Sequence, residues 1–254
     1  METIGIIGAM PQESQAVLRL VGKRNRSDLG PYRCYRFQLL GRDCWLVTSG
    51  MGIQRAAQAT RALIEATSPQ LLISVGIAGA VEADLKIGDV VVSTNNCVLD
   101  KGLPGPFQTL AGLSEPAWQA VEQALQPGGA GLYRGTAVTT HGGQFVQSPS
   151  APLIHPVLEM ETAGILGAAA EKGIPMLSLR AISDGPRAPI PFDLEKMFDE
   201  KDNLRTGEII KTMLGHPKIL PQLVRNGSNS RLAADNAALV LLAALKQPGP
   251  VTTP

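Results

Sequence analysis

The chain has 254 residues, of which 44% are hydrophobic and 18% charged, so it can form an α/β domain with a large buried core. Its 23 basic and 22 acidic side chains leave a formal charge of +1 and are mixed along the sequence, which excludes the basic stripe of a nucleic-acid-binding protein. Aromatic residues make up only 4%, which argues against a platform that stacks single-stranded bases.

The cysteines, the histidines and the N-terminus bear on cofactors and location. Cys34, Cys44 and Cys97 have no metal-type spacing and only three histidines accompany them, so we expect no zinc site. The opening residues METIGIIGAM carry an acidic side chain where a signal peptide needs a positive one, and no apolar run approaches the length of a membrane span. We therefore predict a cytoplasmic protein whose cysteines are small buried hydrophobes.

Six short β-branched runs predict buried strands: Thr3–Ile7, Cys44–Thr48, Leu71–Val75, Val90–Ser93, Gly135–Thr140 and Met176–Ile182. Helical patterns follow at Gln54–Ala66, Pro116–Leu125, Met160–Lys172 and, toward the C-terminus, Leu194–Leu245. This alternation predicts an α/β fold with a central, mostly parallel, twisted sheet flanked by helices. We expect one domain over residues 1–245 and a frayed tail over 246–254.

Turns of small residues follow three of the predicted strands. They are Gly8-Ala9-Met10, Ser49-Gly50-Met51-Gly52 and the run Gly76–Ala80. Ligands gather at the carboxyl edge of such sheets, so these turns predict the floor of a binding site. The second turn opens a helix, where it is either a tight connection or a backbone site for an anion or a sugar. It lacks the third glycine of a dinucleotide fingerprint, and the chain has no Walker lysine motif.

Acidic residues stand beside these turns. Glu13 follows the first turn, Glu159 and Glu161 precede a helix, and Asp184 ends a buried strand. Each has a structural explanation, since acids favour the first turn of a helix and aspartate favours turns. A carboxylate with free lone pairs is also a natural acceptor for the two hydroxyls of a ribose.

Six segments of the chain form an ordered set of motifs. They are IGIIGAMPQE (Ile4–Glu13), TSGMGIQRAA (Thr48–Ala57), ISVGIAGAVEADLKIGDVVVS (Ile73–Ser93), GQFV (Gly143–Val146), EMETAGI (Glu159–Ile165) and RAISDG (Arg180–Gly185). This set resembles the purine nucleoside phosphorylase superfamily, and within it the branch of 5′-methylthioadenosine/S-adenosylhomocysteine nucleosidases. The resemblance implies a nucleoside phosphorylase-like fold, cleavage of a purine N-glycosidic bond and no cofactor.

The resemblance also implies roles for particular residues. Asp184, supported by Ser183, would protonate N7 of the purine, and Glu13 would act as the general base that activates water. Glu161 would bind the ribose 2′- and 3′-hydroxyls. Phe145 would stack on the base, Val146 would meet its edge and Met160 would pack on the sugar. Further substrate contacts would come from Ala9, Met10, Gly50, Ile77, Ala78, Gly79 and Glu159.

Two departures from the family pattern concern the substrate. Ile77 stands where the nucleosidases usually carry a hydroxyl residue, and His141-Gly142-Gly143 stands where Ser-Gly-Asp is expected. Ile77 predicts a more apolar pocket and a bulky 5′-substituent. This keeps open a futalosine-type nucleosidase and the hopanoid-associated branch, which acts on an adenosyl-lipid such as adenosylhopane.

The sequence is also compatible with two other functions. A phosphorylase would use inorganic phosphate as co-substrate, for which Arg55 and Arg180 are the candidate cations. A non-catalytic nucleoside-binding protein would share the fold without the reaction. The resemblance implies a homo-oligomer, with a dimer favoured, and a purine nucleoside as the ligand.

Overall fold

The computed structural model describes residues 2–100, 102–141, 153–186 and 220–252. The strands in these ranges are β1 (Thr3–Gly8), β2 (Arg24–Arg26), β3 (Arg33–Leu39), β4 (Arg42–Thr48), β5 (Leu71–Ala80), β6 (Val90–Asp100), β7 (Leu103–Pro104), β8 (Gln108–Thr109), β9 (Gly112–Leu113), β10 (Leu132–Thr139), β11 (Pro156–Glu159), β12 (Met176–Asp184) and β13 (Val251–Thr252). The helices are α1 (Pro11–Leu20), α2 (Ile53–Thr67), α3 (Glu115–Leu125), α4 (Thr162–Ala170) and α5 (Leu220–Leu245).

Eleven of the strands form one mixed sheet, with the order β11-β10-β6-β12-β5-β1-β4-β3-β2 and the short strands β7 and β8 on β6. Neighbours within β4-β1-β5-β12 and within β6-β10-β11 are parallel, whereas β12 and β6 are antiparallel. Helical crossovers join parallel strands, while the short turn between β3 and β4 requires an antiparallel pair. The predicted single-domain α/β fold is confirmed, with a mixed sheet in place of a mostly parallel one.

The sheet curls into a ring at one end. Strand β11 pairs with β10 on one side and with β5 on the other, so β5, β12, β6, β10 and β11 follow one another in a closed circuit. Closure of this kind leaves no free edge on these strands. It also places Val157 and Leu158 of β11 opposite Ala80 and Gly79 at the carboxyl end of β5.

Helices cover both faces of the open part of the sheet. Ile6 and Ile73 belong to a core cluster with residues of α1, α3 and α5, whereas Ile7 and Leu72 pack with residues of α2 and α4. Successive residues of a strand point to opposite faces, which is why these predicted strands are apolar along their whole length. Burying each such side chain stabilises the fold by about 1.5–3 kcal/mol.

Two local expectations are corrected. The run Gly76–Ala80 was expected to be a turn, but β5 continues through Ala80 because its backbone pairs with both β12 and β11. The chain end was expected to be frayed, but Val251 and Thr252 pair with Leu113 and Gly112 in an antiparallel bridge between β13 and β9. The predicted helix toward the C-terminus is described from Leu220 onward; its earlier residues lie outside the described ranges.

The three cysteines are free thiols buried in the core, as predicted. Burial raises the pKa of Cys34 to about 12 and that of Cys44 to about 12, which makes both unreactive as thiolates near neutrality. Within the described ranges no helix is long and apolar enough to cross a bilayer.

Candidate active site

Glu13 is held at the start of α1 by three backbone N–H groups. Pro11 begins the helix and Glu13 occupies its third position, from which the Oε2 atom accepts hydrogen bonds from the N–H groups of Ala9 (2.7 Å) and Met10 (2.8 Å). The Oε1 atom accepts a third from Ile77 of β5, at 3.0 Å. A carboxylate has about four lone-pair positions, so one position on Oε1 is left for another donor.

The environment of Glu13 makes it a stronger base than an exposed glutamate. Burial raises the pKa of the Glu13 carboxyl above its ordinary value, against the opposing effect of its backbone donors and of the Arg180 guanidinium. A base whose pKa is shifted toward neutrality accepts a proton more readily at physiological pH.

Glu161 directly precedes α4, and its side chain contacts the N-terminus of α2. Its Oε1 atom accepts a hydrogen bond from the N–H of Gly52 at 3.0 Å, where the turn uses positive φ angles at Gly50 (+84°) and Gly52 (+99°) that favour glycine. The turn predicted as an anion or sugar site therefore binds a carboxylate of the same chain. Burial, and next the charges of Glu159 and Glu13, raise the pKa of Glu161 to about 8.

Glu159 and Arg180 form an ion pair that is almost completely shielded from solvent. The Nη2 atom of Arg180 lies 2.9 Å from Oε2 of Glu159 and also donates to the hydroxyls of Ser74 (2.7 Å) and Thr162 (2.9 Å). Oε2 of Glu159 further accepts the backbone N–H groups of Glu161 (3.0 Å) and Thr162 (2.7 Å). Glu159 thereby fixes both the guanidinium and the turn that carries Glu161.

A small cavity collects these groups. Glu13, Glu161 and Arg180 line it, together with Ile7, Ala9, Ser74, Val75, Gly76 and Ile165. Among the described residues the buried Nε atom of Arg180 has no hydrogen-bond partner, which is costly for a cationic donor. The sequence identified Arg180 only as a candidate phosphate ligand. Its burial beside two acids depends on strand pairing, which no sequence motif indicates.

Asp184 lies farther along the same sheet edge. Its Oδ1 atom accepts a hydrogen bond from the Ser183 hydroxyl at 2.7 Å, and Ser183 also contacts the carbonyl oxygen of Ala78 at 3.4 Å. Burial raises the pKa of the Asp184 carboxyl, with the Ser183 hydrogen bond acting in the opposite direction. Asp184 does not line the small cavity.

Two glycines of β5 allow the carboxylates to approach the strand. A Cβ atom at Gly76 would lie 2.6 Å from Oε1 of Glu13, and one at Gly79 would lie 2.7 Å from Oδ2 of Asp184. Any side chain would displace these acids. Since the two glycines are three residues apart, roughly 10 Å of strand separates the two contacts. Strand β5 therefore connects the cavity with Asp184.

The side chain of Ile77, which is expected to border the substrate pocket, packs against the core. Its N–H donates to Glu13, but its side chain shares a strand face with Ile73 and Val75 and packs against the core cluster that includes α1, α3 and α5. Gly76 faces Glu13 from the other side of the strand. This packing gives no support to the expectation that Ile77 makes the pocket more apolar, which stays a prediction.

Of the remaining predicted residues, Gly50 and Met160 are described by the structure, whereas Phe145 and Val146 are not. Gly50 donates its N–H to the carbonyl of Ala9 at 3.0 Å, which joins the first two small-residue turns, and Met160 lies half-buried between Glu159 and Glu161. Phe145 and Val146 lie outside the described residues. The described ranges contain no group of three histidine, cysteine or acidic side chains placed to hold a metal ion.

Comparison with known proteins places the chain in a family. The family model of the phosphorylase superfamily matches residues 3–215. The 5′-methylthioadenosine/S-adenosylhomocysteine nucleosidase of Glaesserella parasuis is 30% identical over 199 residues, covering 71% of this chain and 85% of the relative. That of Haemophilus influenzae (strain PittEE) is 30% identical over 209 residues, covering 75% and 90%.

Solved structures have the same fold. A 5′-methylthioadenosine/S-adenosylhomocysteine nucleosidase from Neisseria meningitidis in complex with methylthio-immucillin-A superposes with a TM-score of 0.66 at 22% identity, over 97% of this chain and 99% of the other. The futalosine hydrolase of Helicobacter pylori gives 0.66 at 21% identity, over 96% and 97%. The family match over most of the sequence, with this fold, confirms the resemblance: the chain belongs to the phosphorylase superfamily.

Proposed function

We propose that this protein is a nucleosidase that hydrolyses the N-glycosidic bond of an adenosine-type nucleoside with a modified 5′-position and releases the base. The observation that carries the proposal is the cavity lined by Glu13, Glu161 and Arg180, with Asp184 in contact with the same strand, β5. Relatives that are 30% identical bear the name of 5′-methylthioadenosine/S-adenosylhomocysteine nucleosidase.

Asp184 is the proposed general acid. Cleavage of a glycosidic bond passes through a state with oxocarbenium character, in which the leaving group gains negative charge. A proton donated to N7 of the purine neutralises that charge and weakens the C1′–N9 bond. The raised pKa of Asp184 keeps the proton on the carboxyl closer to neutrality, and Ser183 orients the group.

Glu13 is the proposed general base. Its remaining lone-pair position on Oε1 accepts a proton from the attacking water molecule, and the guanidinium of Arg180 lines the same cavity. The water oxygen bonds to C1′ as the C1′–N9 bond breaks, and the released proton passes to Glu13. Such a group contributes about 10²–10⁴-fold to rate.

Glu161 is the proposed ligand of the ribose hydroxyls. The N–H of Gly52 donates a hydrogen bond to one oxygen of Glu161. The carboxyl group lines the cavity, where it can accept hydrogen bonds from two vicinal hydroxyls. The carboxylate of Glu159 is fully engaged by protein donors, with a side chain only 1% exposed. We therefore assign Glu159 to the support of Arg180 and Glu161, in place of the direct substrate contact expected from the motif.

Water is favoured over phosphate by the charge of the cavity. Glu13 and Glu161 both line it, and the guanidinium of Arg180 is already paired with Glu159. A phosphate dianion placed there would meet the Glu13 carboxylate and a cation whose charge is already balanced, so its binding would be electrostatically unfavourable. A neutral water molecule has no such cost.

The experiment that separates the alternatives uses 5′-methylthioadenosine, adenosine and inosine with and without inorganic phosphate. We expect release of adenine from the adenosine-type substrates in phosphate-free buffer, with the free sugar as second product. In ¹⁸O-labelled water the label appears at C1 of that sugar, because water supplies the oxygen.

Other outcomes contradict the proposal. Base release that depends on phosphate and yields a sugar 1-phosphate would identify a phosphorylase. Binding of adenine, measured by calorimetry, without turnover of any nucleoside in the panel would identify a non-catalytic binding protein.

We further propose that the protein is a homodimer. The segment that follows β6 exposes two large apolar side chains, Leu103 of β7 (71% exposed) and Phe107 just before β8 (56% exposed). Neighbouring exposed side chains of this size are typical of surfaces that are covered by a partner. A second copy of the chain is the partner that the family resemblance favours.

The double variant Leu103→Glu, Phe107→Glu is expected to sediment as a monomer where the native chain sediments as a dimer, because two charges would have to be buried in the interface. Leu40→Glu is the matched control, since Leu40 is 66% exposed at the turn between β3 and β4. A native monomer, or a double variant that remains dimeric, would contradict this proposal.

A further inference from the structure

A chain of buried polar side chains extends from Arg180 to the far side of the strand ring. Thr139 on β10 hydrogen-bonds through its hydroxyl to the carboxylate of Glu159, and the same hydroxyl lies 2.8 Å from the Oδ1 atom of Asn96 on β6. With Ser74 on β5, each of the five ring strands contributes one polar residue to this network. Asn96 and Thr139 are completely buried.

The number of available protons decides the direction of these hydrogen bonds. A threonine hydroxyl has one proton and can donate it either to Glu159 or to Asn96, but not to both. Within the described ranges the buried Nδ2 atom of Asn96 has no hydrogen-bond partner. When the amide is turned so that Nδ2 points at Thr139, the amide donates to the hydroxyl and the hydroxyl donates to the carboxylate.

This arrangement uses the full capacity of the Thr139 hydroxyl. It accepts from Asn96 and from the backbone N–H of Ala163 at 3.2 Å, and it donates to Oε1 of Glu159. A hydroxyl that accepts two hydrogen bonds is a stronger donor in the third, because chains of hydrogen bonds polarise one another. Oε1 of Glu159 is thereby held, while Oε2 remains directed at Arg180 and at the turn that carries Glu161.

We propose that Asn96 and Thr139 are positioning residues for the hydrolysis, acting through Glu159 to set the position of Arg180 and of Glu161 at the cavity. This inference rests on the proposed function, since it assigns the two residues to the same site. Neither side chain lines the cavity, so their effect on the reaction is indirect.

The network also predicts a pH effect. Burial acts to raise the pKa of Glu159, but the charge of Arg180 and the hydroxyls of Thr139 and Thr162 outweigh it and hold the pKa below its ordinary value. The other charged groups near Glu159 are Glu161 and, across the cavity, Glu13. Protonation of Glu13, whose pKa is raised, causes the first loss of activity on the acid side. Because the ion pair needs an ionised Glu159, a second loss follows at lower pH as Glu159 is protonated, and removal of a donor moves this second loss to higher pH.

Thr139→Val removes the hydroxyl at nearly constant volume. We expect kcat to fall by roughly 10–100-fold, the cost of a small misplacement of groups at a reacting centre, with a smaller change in KM. The steeper, lower-pH part of the acidic limb of the kcat/KM profile, where Glu159 is protonated after Glu13, is expected to move to higher pH. Thr139→Ser keeps the hydroxyl and is expected to restore both the rate and the position of the limb.

Two further variants separate positioning from general destabilisation. Asn96→Leu is expected to show a smaller loss with the same direction of pH shift, because Thr139 keeps its bond to Glu159. Thr60→Val is the matched control: Thr60 is equally buried, but its hydroxyl bonds to the Ala56 carbonyl within α2, so both kcat and the pH profile should stay as in the native enzyme.

The two proposals fail in distinguishable ways. If the native chain releases no base from any nucleoside, the proposed function is wrong. If the native chain is active and Thr139→Val keeps its kcat and its acidic limb, the positioning role is wrong. A Thr139→Val variant that loses activity only in proportion to its melted fraction, with an unchanged limb, would likewise overturn that role.

Discussion

Asp184→Asn is expected to lower the turnover of 5′-methylthioadenosine by roughly 10²–10⁴-fold, the usual contribution of a general acid. Asparagine has almost the same shape and can donate a hydrogen bond to N7, but it has no proton to transfer. Adenine release measured in single turnover isolates the bond-breaking step from product release. The native profile should lose activity as the pH rises through the raised pKa of Asp184, and this basic limb should disappear in the variant.

A second buried aspartate provides the control for this substitution. Asp89 is 2% exposed, and its carboxylate accepts the backbone N–H groups of Lys86 (2.8 Å) and Gly131 (2.7 Å), outside the cavity. Asp89→Asn should therefore lower the melting temperature while turnover of the folded enzyme stays unchanged. An Asp184→Asn enzyme with native turnover would remove Asp184 from the mechanism.

Glu13→Gln is expected to reduce hydrolysis by about 10²–10⁴-fold through loss of the base. It carries a second cost, because both oxygens of Glu13 accept backbone N–H groups and the amide nitrogen of glutamine would face one of these donors. Calorimetric binding of adenine, a product of the reaction, distinguishes the two effects. The variant should still bind adenine, since the proposed base acts on water.

Glu122→Gln, an exposed substitution on α3, controls for the loss of a carboxylate as such and should leave hydrolysis unchanged. The base assignment would be contradicted by a Glu13→Gln enzyme that hydrolyses nucleosides at the native rate. A variant that loses adenine binding together with catalysis would instead show that Glu13 holds the site together.

The fold was largely predictable because its strands carry a strong local pattern. The six apolar runs all lie in strands, since a strand buried on both faces must be apolar at consecutive positions. Extensions such as Gly76–Ala80 were not predictable: glycines in a sequence signal a turn, whereas here they let β5 pass close to two carboxylates. The antiparallel pairing of β12 with β6 depends on connections across the whole sheet.

The acids of the candidate site could be predicted from the sequence, but the residues that hold them in place could not. Glu13, Glu161 and Asp184 belong to short motifs, and their positions after strands or before helices can be read locally. The ion pair of Glu159 with Arg180 joins residues 21 positions apart, and the bond from Thr139 to Asn96 spans 43. Such partners have no common local pattern, so only the paired strands identify them.

The small-residue turns and the acids of the candidate site depend partly on local sequence and partly on long-range contacts. The sequence by itself determined which apolar runs form strands and which acids belong to the motifs beside them, because these depend on residues within one turn or strand. Only the tertiary structure decided that Ile77 faces the core, that Glu161 binds the N-terminus of α2 and that Arg180 is shared between Glu159 and the cavity. These contacts depend on strand register and ring closure, which sum many weak long-range interactions that no segment contains alone.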